Sequence, residues 1–213
     1  MKASSSAGRI TNPVYVAGLL MPYLTVGAGL YIFHNAWIAI LGYHAGILLI
    51  LRLAHFKSSA SFRPTAQIWK TIGFGALGGL AGLAMWFLWP YVFMSPSLAW
   101  TVERWGLTRA AWPLFIAYSA LVNPWLEELY WRGWLGSASR RPVVNDAFFA
   151  GFHLVILAPF LPGLWLAVVF FVLAAAGWMW REVTRRTDSL LLSAMCHLAA
   201  DVSILLVIVS EIT

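Results

Sequence analysis

The sequence predicts an all-α, polytopic transmembrane bundle of about seven spans, and three observations carry that reading. Of the 213 residues, 61% are hydrophobic and only 10% are charged. Mean hydropathy is +0.78, which leaves too little polar surface to cover a water-soluble globule of this size. Apolar stretches long enough to cross a hydrocarbon core of roughly 30 Å recur along the whole length. A single integral membrane domain, residues 1–213, is expected, without a soluble domain.

The spans are expected near 13–32, 36–54, 71–93, 110–135, 146–161, 163–180 and 189–210. The charged start and apolar run at the N-terminus have some character of a signal peptide, but a second apolar segment follows within a few residues, so a retained first helix is expected. "FHNAW" (33–37) is a tight hairpin between the first two spans. "AHFKSSASFRPTAQIWK" (54–70) reads as a loop or interfacial helix. In the third span Gly78, Gly79 and Gly82 invite close approach of another helix. "SPSLAWTVERWGLTR" (95–109) reads as a loop on the opposite membrane face, its tryptophans placed like an interfacial belt.

Charge positions set the orientation. Under this division Lys2, Arg9, Arg52, Lys57, Arg63, Lys70, Arg132, Arg140, Arg141, Arg181, Arg185 and Arg186 fall at or near one face, and Arg104 and Arg109 at the other. That bias predicts a cytosolic N-terminus and, with seven spans, a C-terminus outside. The net charge of +6 then reflects topology and contact with anionic lipid, not nucleic-acid binding. The lone Cys196 excludes an intramolecular disulfide.

Against this background "NPWLEELYWRGWL" (123–135) stands out. A carboxylate in hydrocarbon costs at least a few kcal/mol and usually marks a function. On a helix Glu128 and Arg132 share a face and can pair, whereas Glu127 points about 100° away and is left free. Pro124 predicts a bend just before the acidic pair, and Asn123, one turn earlier, can bond to Glu127. Two more polar intrusions follow: His153 in "FFAGFHLVIL" and the pair His197 and Asp201, four residues apart, in "SAMCHLAADVSILL". Glu127 lies nine residues from Gly136, His153 eight from Asn145 and His197 nine from Asp188. All three therefore sit roughly 12–14 Å below one membrane face, a depth at which they can form one buried site. His34, His44 and His55 read instead as interhelical hydrogen-bond partners.

A carboxylate, two imidazoles and a second carboxyl suit amide hydrolysis by an activated water. Glu127, His153 and His197 could equally bind a divalent metal such as zinc. No Gly-x-Ser-x-Gly, Gly-x-Gly-Asp or His-Glu-x-x-His string occurs, which argues against serine, aspartyl-type and site-2-type intramembrane proteases.

Glu-Glu-x-x-x-Arg at 127–132, Phe-x-x-x-His at 149–153 and His-x-x-x-Asp at 197–201, in this order, resemble the three motifs of the CPBP (CAAX protease and bacteriocin-processing, or Abi) family. The resemblance spans about 110–210, which would place a catalytic core in the C-terminal four helices and make residues 1–109 accessory. It implies an intramembrane endopeptidase in which Glu127 activates water with help from His153. In that scheme His197 and Asp201 form the oxyanion site, Arg132 organises the acidic helix, and Glu128, Phe149 and Asn123 support it. It implies a glutamate-type enzyme with no cofactor ahead of a zinc-dependent one. An ionised Asp cannot donate a hydrogen bond, so Asp201 must be protonated, orient His197 or ligate a metal. The expected setting is the lipid bilayer of a prokaryotic plasma membrane. The expected partner is a membrane-anchored protein or peptide, cleaved near the cytosolic side. The competing expectation is a non-catalytic scaffold or bacteriocin-immunity protein on the same fold; a transporter ranks third, since no repeats or discontinuous helices are read.

Overall fold

A computed structural model describes residues 12–57, 61–64, 68–92 and 98–212; Lys2, Arg9, the signal-peptide question and Thr213 lie outside them. The described chain is helical throughout. The helices are α1 (Pro13–Gly27, extended by a π turn over Ala28–Ile32), α2 (Ala36–Leu53), α3 (Ile68–Val92), α4 (Leu98–Arg104), α5 (Trp112–Leu121), α6 (Asn123–Glu128, continued as a π-helical segment Leu129–Trp134), α7 (Val144–Leu157), α8 (Gly163–Thr187) and α9 (Leu191–Ile212).

Local chemistry sets the boundaries. Asn12 caps α1, its side chain accepting from Val14 N at 2.9 Å, with Pro13 in the first turn, and Asn35 caps α2 by accepting from Ile38 N at 3.0 Å. Asp146 accepts from Val143 N at the start of α7. Helix α8 ends at Asp188, which takes the left-handed conformation with φ of 50°.

Five helices are long and apolar enough to cross a membrane: Pro13–Ile32, Ala36–Leu53, Ile68–Val92, Gly163–Thr187 and Leu191–Ile212. The other two expected spans depart from that form. The stretch expected as a helix over 110–135 is broken, because Pro124 has no N–H and its ring crowds the carbonyl of Ala120. Helix α5 therefore stops at Leu121, and Val122 (φ −123°, ψ −49°) separates it from α6. Helix α7, expected over 146–161, has 14 residues. The described part of 95–109 is no simple loop: α4 buries Leu98 and Val102, and Trp105 is buried against Phe160, while Trp100 alone keeps an exposed, belt-like place.

Helix α9 packs along α3, α7 against α8, and α1 against α2 and α7. The α3–α9 contact is close at two glycines. A Cβ at Gly78 would overlap the carbonyl of Cys196, and one at Gly82 would overlap Ser203, whose hydroxyl accepts from Gly82 N at 3.1 Å. Gly79 takes no part, since a Cβ there meets nothing. His34 and His55 are exposed at helix ends with φ of 48° and 47°, so neither bridges helices as expected.

Candidate active site

The acidic segment is held in place by its aromatic residues. Tyr130 donates to the carbonyl of Gly18 on α1 at 2.7 Å, and Trp131 Nε1 donates to Tyr43 on α2 at 2.9 Å. Phe62, in the segment after α2, packs edge-on against Trp125 at 5.1 Å. These anchors fix the rotation of the helix, and with it the direction of each glutamate.

Glu128 and Arg132 pair at 2.9 Å with both side chains almost wholly buried. Arg132 is also covered by aromatic faces, its guanidinium carbon 4.0 Å from the Phe149 centroid and 4.8 Å from that of Trp180. His197 Nδ1 lies 3.1 Å from Glu128 Oε1. Its ring stacks on Trp180 with centroids 4.7 Å apart and planes at 22°. The other ring nitrogen, Nε2, stands 3.5 Å from Asp201 Oδ1 and 3.9 Å from Glu127 Oε2. Glu127 is 3% exposed, and its Oε2 has no hydrogen-bond partner among the described residues.

His153 is half-buried on α7. Its Nδ1 is 2.8 Å from the carbonyl of Phe149. A carbonyl only accepts, so Nδ1 carries the proton, and in the neutral ring Nε2 keeps its lone pair. The Phe149 ring contacts both imidazoles, at 4.8 Å from His153 and 6.3 Å from His197. The depth count thus brings Glu127 and His197 into one locus and sets His153 beside it across Phe149.

Asn123 departs from expectation. It does not bond to Glu127; its Nδ2 donates to Asp201 Oδ2 at 2.9 Å and its Oδ1 faces His44 Nε2 at 3.0 Å. His44 Nδ1 in turn meets the Tyr118 hydroxyl at 2.7 Å. The break at Val122 starts a new helix at Asn123 and turns its side chain toward α9 and α2 instead of down its own helix. His44 is an interhelical hydrogen-bond partner as expected, but its place beside the site, like those of Tyr118 and Trp180, is absent from the sequence expectation. The depth count would have found the first, since His44 lies nine residues from Leu53 at the end of α2. Nothing in the sequence separates Trp180 from the other twelve tryptophans.

Among the described residues no three His, Cys, Asp or Glu side chains are placed so that they could hold one metal ion. The nearest such set around His197 has its ring nitrogens already directed at Glu128 and Asp201.

Comparison with known families finds one similarity. Residues 109–203 match the family model described as type II CAAX prenyl endopeptidase Rce1-like. This segment is similar to the CPBP/CAAX protease family. The matched stretch runs from just before α5 into α9 and contains Glu127, Glu128, Arg132, His153, His197 and Asp201. No curated protein and no solved structure matches the chain. The apolar helices mark an integral membrane protein, and its segment 109–203 is similar to a protease family.

Proposed function

We propose that the protein is an intramembrane endopeptidase that hydrolyses a peptide bond in a membrane-anchored protein or peptide, with Glu127 as general base. The observation that carries this reading is the buried Glu127 carboxylate with an unpartnered oxygen 3.9 Å from His197. A buried polar atom without a partner is rare in a settled core and needs a reason, and a place for water or substrate supplies one.

In the proposed reaction the Glu127 carboxylate takes a proton from water while the water oxygen bonds to the scissile carbonyl carbon. The carbonyl electron pair moves onto its oxygen, and the resulting oxyanion is met by a protonated His197 Nε2. Collapse restores the carbonyl and breaks the C–N bond, and the proton held by Glu127 passes to the departing nitrogen. His153, with its free Nε2 lone pair, is the second acceptor available to orient the water. Asp201 acts by orienting His197: one of its oxygens accepts from Asn123 and the other faces His197. That geometry favours orientation over donation to the oxyanion or metal ligation. Arg132 neutralises Glu128 and leaves Glu127 as the carboxylate open to chemistry.

Water activation by Glu127, without a metal, is favoured by the dispersed donor set. The bias of basic residues supports a cytosolic N-terminus, and the depth of the site below the basic face supports a substrate that reaches it from the cytosolic side or laterally from the bilayer. The test is cleavage of a panel of membrane-anchored peptides bearing leader, C-terminal sorting and CAAX-like segments, by purified wild type, Glu127→Gln and His153→Ala in detergent, with and without a chelator. Activity that is lost in both variants and indifferent to chelation supports the proposal. Loss on chelation, restored by zinc, overturns the metal-free mechanism, and unchanged cleavage by Glu127→Gln overturns the assignment of the base.

A further inference from the structure

His44 lies on α2, outside the residues that match the family, yet it is 4% exposed and tied to the site by two short hydrogen bonds. Its connection to Asp201 has a fixed polarity. Asp201, as a carboxylate, can only accept, so the NH2 end of Asn123 faces it at 2.9 Å. The amide oxygen of Asn123 then faces His44 Nε2 at 3.0 Å, and that nitrogen must carry the proton. With Nε2 protonated, Nδ1 holds a lone pair and accepts the hydroxyl hydrogen of Tyr118 at 2.7 Å. Each link sets the next, from Tyr118 through His44 and Asn123 to Asp201. Without His44 the Asn123 amide is free to turn over and present its oxygen to the Asp201 carboxylate, placing two acceptors face to face.

We propose that His44 is a positioning residue of the active site: through Asn123 it holds the Asp201 carboxylate as an acceptor, with its second oxygen directed at His197. The role rests on the proteolytic reading for its kinetic consequences but not for its structural ones. Replacing His44 by Ala leaves both Asn123 Oδ1 and Tyr118 without their buried partner. Replacing it by Gln retains an N–H donor for Asn123 and an acceptor for Tyr118. A support of this kind acts on the geometry of the reacting groups, and displacements of about 1 Å there cost on the order of 100-fold in rate.

The experiment combines 15N-histidine NMR of the full chain in detergent micelles with kinetics of His44→Ala, His44→Gln, Asn123→Ala and the double variant His44→Ala/Asn123→Ala. The His44 resonance, assigned by its loss in His44→Gln, is expected to report the Nε2–H form. His44→Ala is expected to lower kcat about 10- to 100-fold with KM within about two-fold. His44→Gln should recover to within about five-fold of wild type, and the double variant should be no slower than Asn123→Ala alone, because both changes break one chain. An Nδ1–H form, reversing the chain, or multiplicative losses in the double variant would overturn the proposal. If the wild type cleaves no peptide, the proteolytic reading fails while the tautomer of His44 still decides its link to Asn123.

Discussion

Two buried arginine–carboxylate pairs in this protein look alike on paper and are built on opposite plans. Arg181 of α8 pairs with Asp146 of α7 at 2.8 Å, with Nε on the other Asp146 oxygen at 3.0 Å, and its remaining donors reach the carbonyls of Ser137, Ser139 and Arg141. That guanidinium uses its planar fork fully and pins the 136–143 turn onto the bundle. Arg132 has a single carboxylate neighbour, Glu128, and its Nη1 and Nη2 make no hydrogen bond among the described residues. Aromatic faces cover it instead. A saturated ion pair has no capacity left for a ligand, whereas an unsaturated one, with Glu127 beside it, retains unmet valence in a dry place. Burial of charge is common to both; polar saturation separates a clamp from the proposed reactive centre.

The sharpest way to test the contrast is at Glu127. Glu127→Gln keeps the volume and is expected to reduce cleavage of a membrane-anchored peptide by about 10²- to 10⁴-fold while the melting temperature in detergent stays near that of wild type; a large fall in melting temperature would place Glu127 with the clamp. Arg181→Ala is the complementary change. It strands the buried Asp146 charge and frees the turn, so a loss of about 3–5 kcal/mol in unfolding free energy is expected, read by denaturant titration in micelles. Arg181→Lys should rescue little, because an ammonium cannot reproduce the fork. Next in size, Gly78→Ala should cost about 1–3 kcal/mol by forcing α3 away from the Cys196 carbonyl, whereas Gly79→Ala, facing open space, should be neutral or slightly stabilising in the same assay. At the small end, Glu182→Gln removes the negative charge that Arg185 and Arg186 pair with at the end of α8 and should leave the melting temperature unchanged in high salt, since surface pairs of this kind contribute little.

What the sequence revealed follows the strength of the physical signal. Charged residues in an apolar run announce themselves, and so Glu127, Glu128, Arg132, His197 and Asp201 were legible, along with the Glu128–Arg132 pairing that four-residue spacing dictates. The long spans were legible for the same reason. The break at Val122 was legible only as a bend, because a proline reports a disturbed hydrogen bond but not the new helix start that turns Asn123 toward Asp201. The side of Gly79 and the interior place of Trp105 depend on which neighbour arrives, which no local pattern encodes. His44 was legible as an interhelical hydrogen-bond partner but not as a neighbour of the site, because the depth count was applied only to the three later helices. Arg132 and Arg181 were counted with the basic residues of one membrane face, but both are spent on internal carboxylates. The expected orientation therefore rests on the other ten residues of that group.

The π-helical segment Leu129–Trp134, closed by the bond from Leu135 N to the Tyr130 carbonyl at 2.8 Å, holds one residue more in each hydrogen-bonded ring than an α turn does. Loss of a single codon there would let the segment relax to an ordinary α-helix with both of its ends in place, so the polypeptide would still insert and fold. The spacing between Glu128 and Arg132 would not survive a deletion at 129, 130 or 131. On the proposed reading, such an indel along a lineage would turn an enzyme into an inert membrane protein in one step, with no trace in its hydropathy profile.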